Sequence, residues 1–175
     1  MDRAETLEVT AQAVIATMSS LHELAGLSID ELRAIPLGRL RRDATRLHAV
    51  CRYRKGIRKA DIQGPADVQC VDLHPAALEG DWRRYAMFLL YHEYLHALGF
   101  AGHDRTFRRL EALWPDTEAR AMGPAFGTHL RTRAAKWLWT CPQCGIEHPR
   151  SRRSNGRYRC RVCQVILVDA ARDNA

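Results

Sequence analysis

No stretch of this chain approaches the roughly twenty apolar residues of a membrane span, and the N-terminus MDRAETLEV lacks the basic-then-apolar layout of a secretion signal. The expectation is a cytoplasmic protein with no membrane partner. Cysteines suited to disulfides are scarce too. Of six cysteines, four fall into two C-x-x-C pairs, which in a reducing compartment read as zinc ligands rather than cross-links. Cys51 and Cys70 remain, each in an apolar strand-like run, and are expected as buried thiols. At 175 residues the chain cannot hold two large domains, although one domain with a real core and a small appendage fits. There is no acidic excess: 27 Lys and Arg stand against 20 Asp and Glu, a formal charge of +7. That balance favours polyanionic partners such as nucleic acid without identifying one.

The stretch that is present and organises the rest is YHEYLHALGFAGHDRTF, Tyr91 to Phe107. Within it His92, Glu93 and His96 form H-E-x-x-H, which on a helix sets two imidazoles one turn apart on one face, able to bind one metal ion. Glu93 lies beside them, where its carboxylate can take a proton from an attacking water. A tetrahedral site then needs a third protein ligand. His103 is the candidate, because Gly99 and Gly102 let the chain leave the helix and fold back. Imidazole ligands favour zinc. The metzincin pattern is the competing geometry, requiring H-E-x-x-H-x-x-G-x-x-H and a Met-turn. Gly99 matches it, His103 comes one residue late, and Met122 would have to serve as the Met-turn.

In chain order, residues 3–25 place Leu7, Val14, Met18, Leu21 and Leu24 near helical spacing. Ser28 and Glu31 fit a capping box opening a second helix near Ile29, closed by Pro36. RLRRDATRL after Gly38 reads as a solvated helical face. HAVCRY and VQCVDL read as short strands, joined by RKGIRKADIQGP, whose Lys and Arg can line a groove if they face the metal site. His74 before Pro75 is expected to be structural. Asp81 is a candidate N-cap for a core helix through DWRRYAMFLLYHEYLHALGF, in which Tyr85, Phe88, Leu89, His92, Leu95 and His96 share one stripe. Tyr85, Tyr91 and Tyr94 are expected as packed rings. Asp104 can cap a short helix with Phe107, Leu110 and Leu113 inward, and a last helix is expected from about Pro124 to Lys136, with His129 on its surface.

At Trp137 the composition changes. Cys141 with Cys144 and Cys160 with Cys163 are separated by fifteen residues, the spacing of a four-cysteine zinc ribbon. A closed four-thiolate shell leaves no position for a substrate, so this zinc is structural and substitutes for a core that so short a segment cannot build. Between the knuckles Arg150, Arg152, Arg153, Arg157 and Arg159 surround Tyr158, with Trp137 and Trp139 just before. Arginines among exposed aromatics suit single-stranded or distorted nucleic acid. The alternative is a ribbon whose aromatics pack on the preceding domain and whose arginines are merely solvated.

With HEYLH, GHDRTF, CPQC and CRVC in view, the chain from about His48 onward resembles the SprT-like zinc metalloproteases related to Spartan. GHDRTF stands where that family has G-H-x-x-x-F, although Asp104 occupies a position where many relatives have Gly. The resemblance implies His92, His96 and His103 as ligands and Glu93 as catalytic base. It also implies protein substrates bound or cross-linked to DNA, with DNA as a partner that unlocks cleavage. A compact, prokaryote-like, nucleoid-associated version is expected. The fold class expected is α+β: a zincin-like helical metalloprotease domain with a small antiparallel sheet over residues 1–136, then a zinc ribbon over 137–175, with one catalytic and one structural zinc. Two other readings remain: a nucleic-acid-binding or transcription-associated zinc protein with little protease activity, and a peptidase indifferent to DNA.

Overall fold

The fold is that of a computed structural model describing residues 3–172. Met1, Asp2 and residues 173–175, which the expected domain boundaries include, lie outside the described residues. The chain divides into two compact units, Met1–Phe126 and Gly127–Ala175.

The first unit begins with α1 (Arg3–Ser20), which buries Leu7, Ala11, Val14, Ile15 and Met18, the i, i+4, i+7, i+8, i+11 stripe of an amphipathic helix. The expected run to residue 25 stops at Ser20 and is followed by a 3-10 turn at His22–Leu24. The expected capped helix near Ile29 is a five-residue 3-10 turn, Asp30–Ala34, without any side-chain cap. Pro36 pushes Ile35 to an extended conformation (φ −73°, ψ 122°), which leaves too few residues for an α-helical nucleus.

The arginine-rich stretch is not helical either. Leu37–Arg39 forms strand β1, and the residues after it turn, with Arg41 bridging to Asp43 at 2.6 and 3.0 Å. With Ala49–Tyr53 (β2) and Val68–Leu73 (β3) it makes a sheet in the order β1-β3-β2. β2 is antiparallel to β3 but β1 is parallel to it, so the sheet is mixed rather than antiparallel. The residues after β1 do not fold it back on β2, and β3 inserts between the two. A Cβ at Gly38 would lie 2.0 Å from Asp72 Oδ1, so a larger residue there would displace the carboxylate that Arg52 holds through its other oxygen at 2.6 Å.

Helix α2 (Arg83–Ala97) is the centre of this unit. The start falls two residues after Asp81, which belongs to a 3-10 turn, Gly80–Trp82, and gives α2 no side-chain cap. Ala86, Leu90, Tyr91, Tyr94, Leu95 and Ala97 are almost wholly buried. Burial on every side marks a helix packed all round. It meets α1, β2, β3 and the two short helices that follow, α3 (Arg105–Glu111) and α4 (Thr117–Ala121). Each fully buried Leu contributes about 1.5–3 kcal/mol. Tyr91 adds a hydrogen bond to the Leu110 carbonyl and a ring contact with Trp114 at 5.0 Å.

Helix α5 (Gly123–Arg133) crosses the division between units and ends three residues before the expected Lys136. At its head Phe126 packs against His48 and Trp82, each at 5.0 Å. The second unit continues as β4 (Trp137–Thr140), β5 (Glu147–Arg150) and β6 (Val168–Ala171), antiparallel in the order β5-β4-β6. Its small core is Trp139, Cys141, Cys160 and Leu167. Among the described residues no helix is long and apolar enough to cross a membrane.

Candidate functional site

Helix α2 sets His92, Glu93 and His96 in place, and its C-terminal turn completes the geometry. Gly99 is left-handed (φ +98°); its N–H donates to the His96 carbonyl at 3.1 Å, and the Phe100 N–H to the Leu95 carbonyl at 3.2 Å. This is a Schellman ending. It brings the Phe100 carbonyl back to His96 Nδ1 at 2.7 Å. His92 Nδ1 lies 2.6 Å from Glu111 Oε1. With both Nδ1 atoms partnered, both Nε2 atoms turn toward a common point, and the loop residue His103 meets them there: its Nε2 is 3.1 Å from His92 Nε2 and 3.2 Å from His96 Nε2.

Nitrogens bound to one tetrahedral zinc at about 2.0–2.1 Å stand about 3.3 Å apart, so the three imidazoles fit that ion. The rings form a triangle with edges of 4.9–5.0 Å, and fully buried Phe107 lies 4.7–4.9 Å from all three. Asp104 caps α3 by accepting from the Phe107 N–H at 2.9 Å, and Arg108 Nε donates to the His103 carbonyl at 3.0 Å. These bonds hold the end of the loop that carries His103. Burial lowers the pKa of His92 and brings that of His96 to about 4, which keeps both rings neutral, the form that binds a metal.

Glu93 is 7 % exposed. Its Oε2 accepts the Cys51 N–H from β2 at 2.7 Å. Burial raises its pKa to about 7, against the opposing pull of that N–H and of the Lys59 charge. The Lys59 charge also lowers the pKa of His92 and His96. Two other cations of this loop are engaged elsewhere: Arg58 pairs with Asp61 at 2.6 Å, and Arg54 donates to the Ala66 carbonyl. Sequence reasoning treated this basic loop as a whole and did not single out Lys59. It missed Glu111 entirely, although a carboxylate one helical turn after Phe107, on the inward side of α3, was a readable signal.

Cys51 is buried and its thiol pushed up to about 12, chiefly by burial; Cys70 is half-buried and also raised by burial. Neither joins a metal-capable cluster among the described residues, nor does His129. Tyr85 is packed, with its hydroxyl 2.8 Å from His48 Nδ1.

In the second unit Cys141, Cys144, Cys160 and Cys163 bring their Sγ atoms within 4.8 Å of one another. The Cys144 and Cys160 sulfurs are 3.7 Å apart, against about 3.8 Å for two thiolates on a tetrahedral zinc. The two knuckles are built alike. In the first, Gly145 N–H donates to the Cys141 carbonyl at 2.9 Å and Cys141 N–H to Ile146 at 3.0 Å; in the second, Gln164 donates to Cys160 at 2.9 Å and Cys160 to Val165 at 2.8 Å. Gly145 (φ 70°) and Gln164 (φ 59°) share the left-handed turn.

The ribbon arginines fall into two groups. Arg150, Arg152 and Arg159 line a groove of about 600 Å³ together with Trp139, His148 and Tyr158. Arg153 and Arg157 line a smaller hollow next to it, which Arg152 and Tyr158 share. The aromatics are less open than expected. Trp139 is buried, stacked on Tyr158 at 4.5 Å with Arg150 at 5.0 Å from its ring, and Arg153 covers Trp137 at 4.1 Å. Tyr158 keeps 42 % of its surface exposed.

Residues 135–168 match a family model described as the SprT-like zinc ribbon domain. No curated protein and no solved structure matches the chain.

Proposed function

From a chain that carries a SprT-like zinc ribbon, we propose a zinc-dependent metalloprotease of the SprT type, zincin-like in its first unit, that acts on proteins bound or cross-linked to DNA. The observation that carries this reading is the convergence of three imidazole Nε2 atoms, with the buried carboxylate of Glu93 next to His92 in the chain. His92, His96 and His103 would hold the ion. When bound, zinc supplies Lewis acidity toward the scissile carbonyl and toward water.

The chain's own residues do the rest. The Cys51 N–H holds Glu93 Oε2, leaving Oε1 to take the proton from attacking water and return it to the leaving amine. The buried surround strengthens each electrostatic contact. In the ribbon, arginines along the groove would meet phosphates while the open face of Tyr158 stacks on a base. The same exposed basic groove favours the second reading, a nucleic-acid-binding zinc protein with little protease activity.

Cleavage of a basic DNA-binding protein, with and without single-stranded DNA and beside Glu93→Gln, tests the proposal. Cleavage that needs DNA and disappears in Glu93→Gln, with zinc content unchanged, is the expected result. Equal cleavage without DNA indicates a general peptidase. No cleavage despite a filled histidine site favours the binding protein.

A further inference from the structure

We infer that Glu111 is a positioning residue for His92, anchored in turn by Arg120, so that α3 and α4 together steady the ring that α2 presents. The inference rests on the reading of the three histidines as metal ligands. Glu111 is the last residue of α3, with a side chain only 12 % exposed. Its Oε1 lies 2.6 Å from His92 Nδ1, and its Oε2 is 3.5 Å from Arg120 Nη2 on α4. Helix α4 is itself fastened to α2, because Arg84 meets Asp116 through two contacts of 2.7 Å and Glu118 at 3.0 Å. The chain of contacts therefore starts and ends on the helix that carries the histidine.

A neutral imidazole has one N–H, and placing it on Nδ1 leaves the Nε2 lone pair free for the ion. His96 obtains its Nδ1 acceptor locally, from the carbonyl of the turn that ends α2. His92 sits one turn deeper, where backbone carbonyls already accept helical N–H groups. An acceptor has to come from another element, and Glu111 supplies it. A carboxylate also raises the basicity of the opposite nitrogen and restrains ring rotation.

The test uses the full chain, stripped of metal and titrated with zinc against a competing chelator, with the histidine site identified as the one lost in His96→Ala. Glu111→Met keeps side-chain length and packing but removes the acceptor, and is expected to weaken zinc at that site roughly 10–100-fold. Glu111→Gln, which retains an acceptor oxygen, recovers most of the affinity. In the metal-free proteins, 15N NMR should show His92 in the Nδ1–H tautomer for wild type and Glu111→Gln, and a tautomer mixture for Glu111→Met. Wild-type affinity in Glu111→Met, or an unchanged tautomer, overturns the inference. If Glu111→Met does not fold, Glu111→Ala takes its place with the same expectation. Absence of zinc from the wild-type histidines would instead sink the metal reading, and the tautomer measurement would still decide the role of Glu111.

Discussion

At the residue scale, position matters more than residue type. Four basic side chains lie in Arg54–Lys59, yet Lys59 is the one whose charge acts on His92, Glu93 and His96 together. A cation favours the ionised carboxylate and so lowers the Glu93 pKa, opposing the burial that raises it to about 7. Lys59→Ala removes that pull, and Glu93 then needs a higher pH to lose its proton. In metal-free protein the titration of the Glu93 carboxyl, followed by 13C NMR, is expected to move to higher pH. An unmoved titration would show that Lys59 does not act on the base.

At the element scale, the end of α2 shapes the site as much as its face does. The Schellman turn at Gly99 both closes the helix and delivers the Phe100 carbonyl to His96. A Cβ at Gly99 would meet only ordinary contacts, the nearest being the Ile62 carbonyl oxygen at 3.5 Å, so the cost of Gly99→Ala lies in its φ of +98°. About 1–2 kcal/mol of destabilisation is expected, read as a lower urea midpoint at unchanged slope in metal-free protein. A loss below about 0.3 kcal/mol would mean that the turn relaxes to another form, given the usual cost of such strain.

At the scale of the whole molecule, the two candidate metal sites sit in separate compact units, one ringed by imidazoles and one closed by thiolates. The second unit has a core of four buried residues, two of them cysteines, so its folding should depend on its metal. In Cys160→Ser, zinc per chain is expected to fall from two to one. The near-ultraviolet signal of Trp137 and Trp139 should collapse, while the helical signal of α1 to α4 persists. Unchanged stoichiometry by native mass spectrometry would contradict a four-cysteine site.

By itself the sequence determined those features whose partners are close in the chain or repeat at a helical or knuckle interval. The H-E-x-x-H face, the Asp104 cap, the strands β2 and β3 and the four-cysteine spacing are all of this kind, because local geometry alone sets them. Tertiary structure decided what depends on distant partners. Strand β1 takes its place by pairing with β3, thirty-four residues on, with Gly38 opposite Asp72. Asp81 lost its expected cap role to a 3-10 turn. Glu93 is held by a strand 42 residues earlier, and His92 by a carboxylate 19 residues later. Trp139, for which the sequence left stacking on nucleic acid and inward packing both open, is core. Hydrogen bonds across such separations leave no periodic trace in the chain, since only folding brings donor and acceptor together.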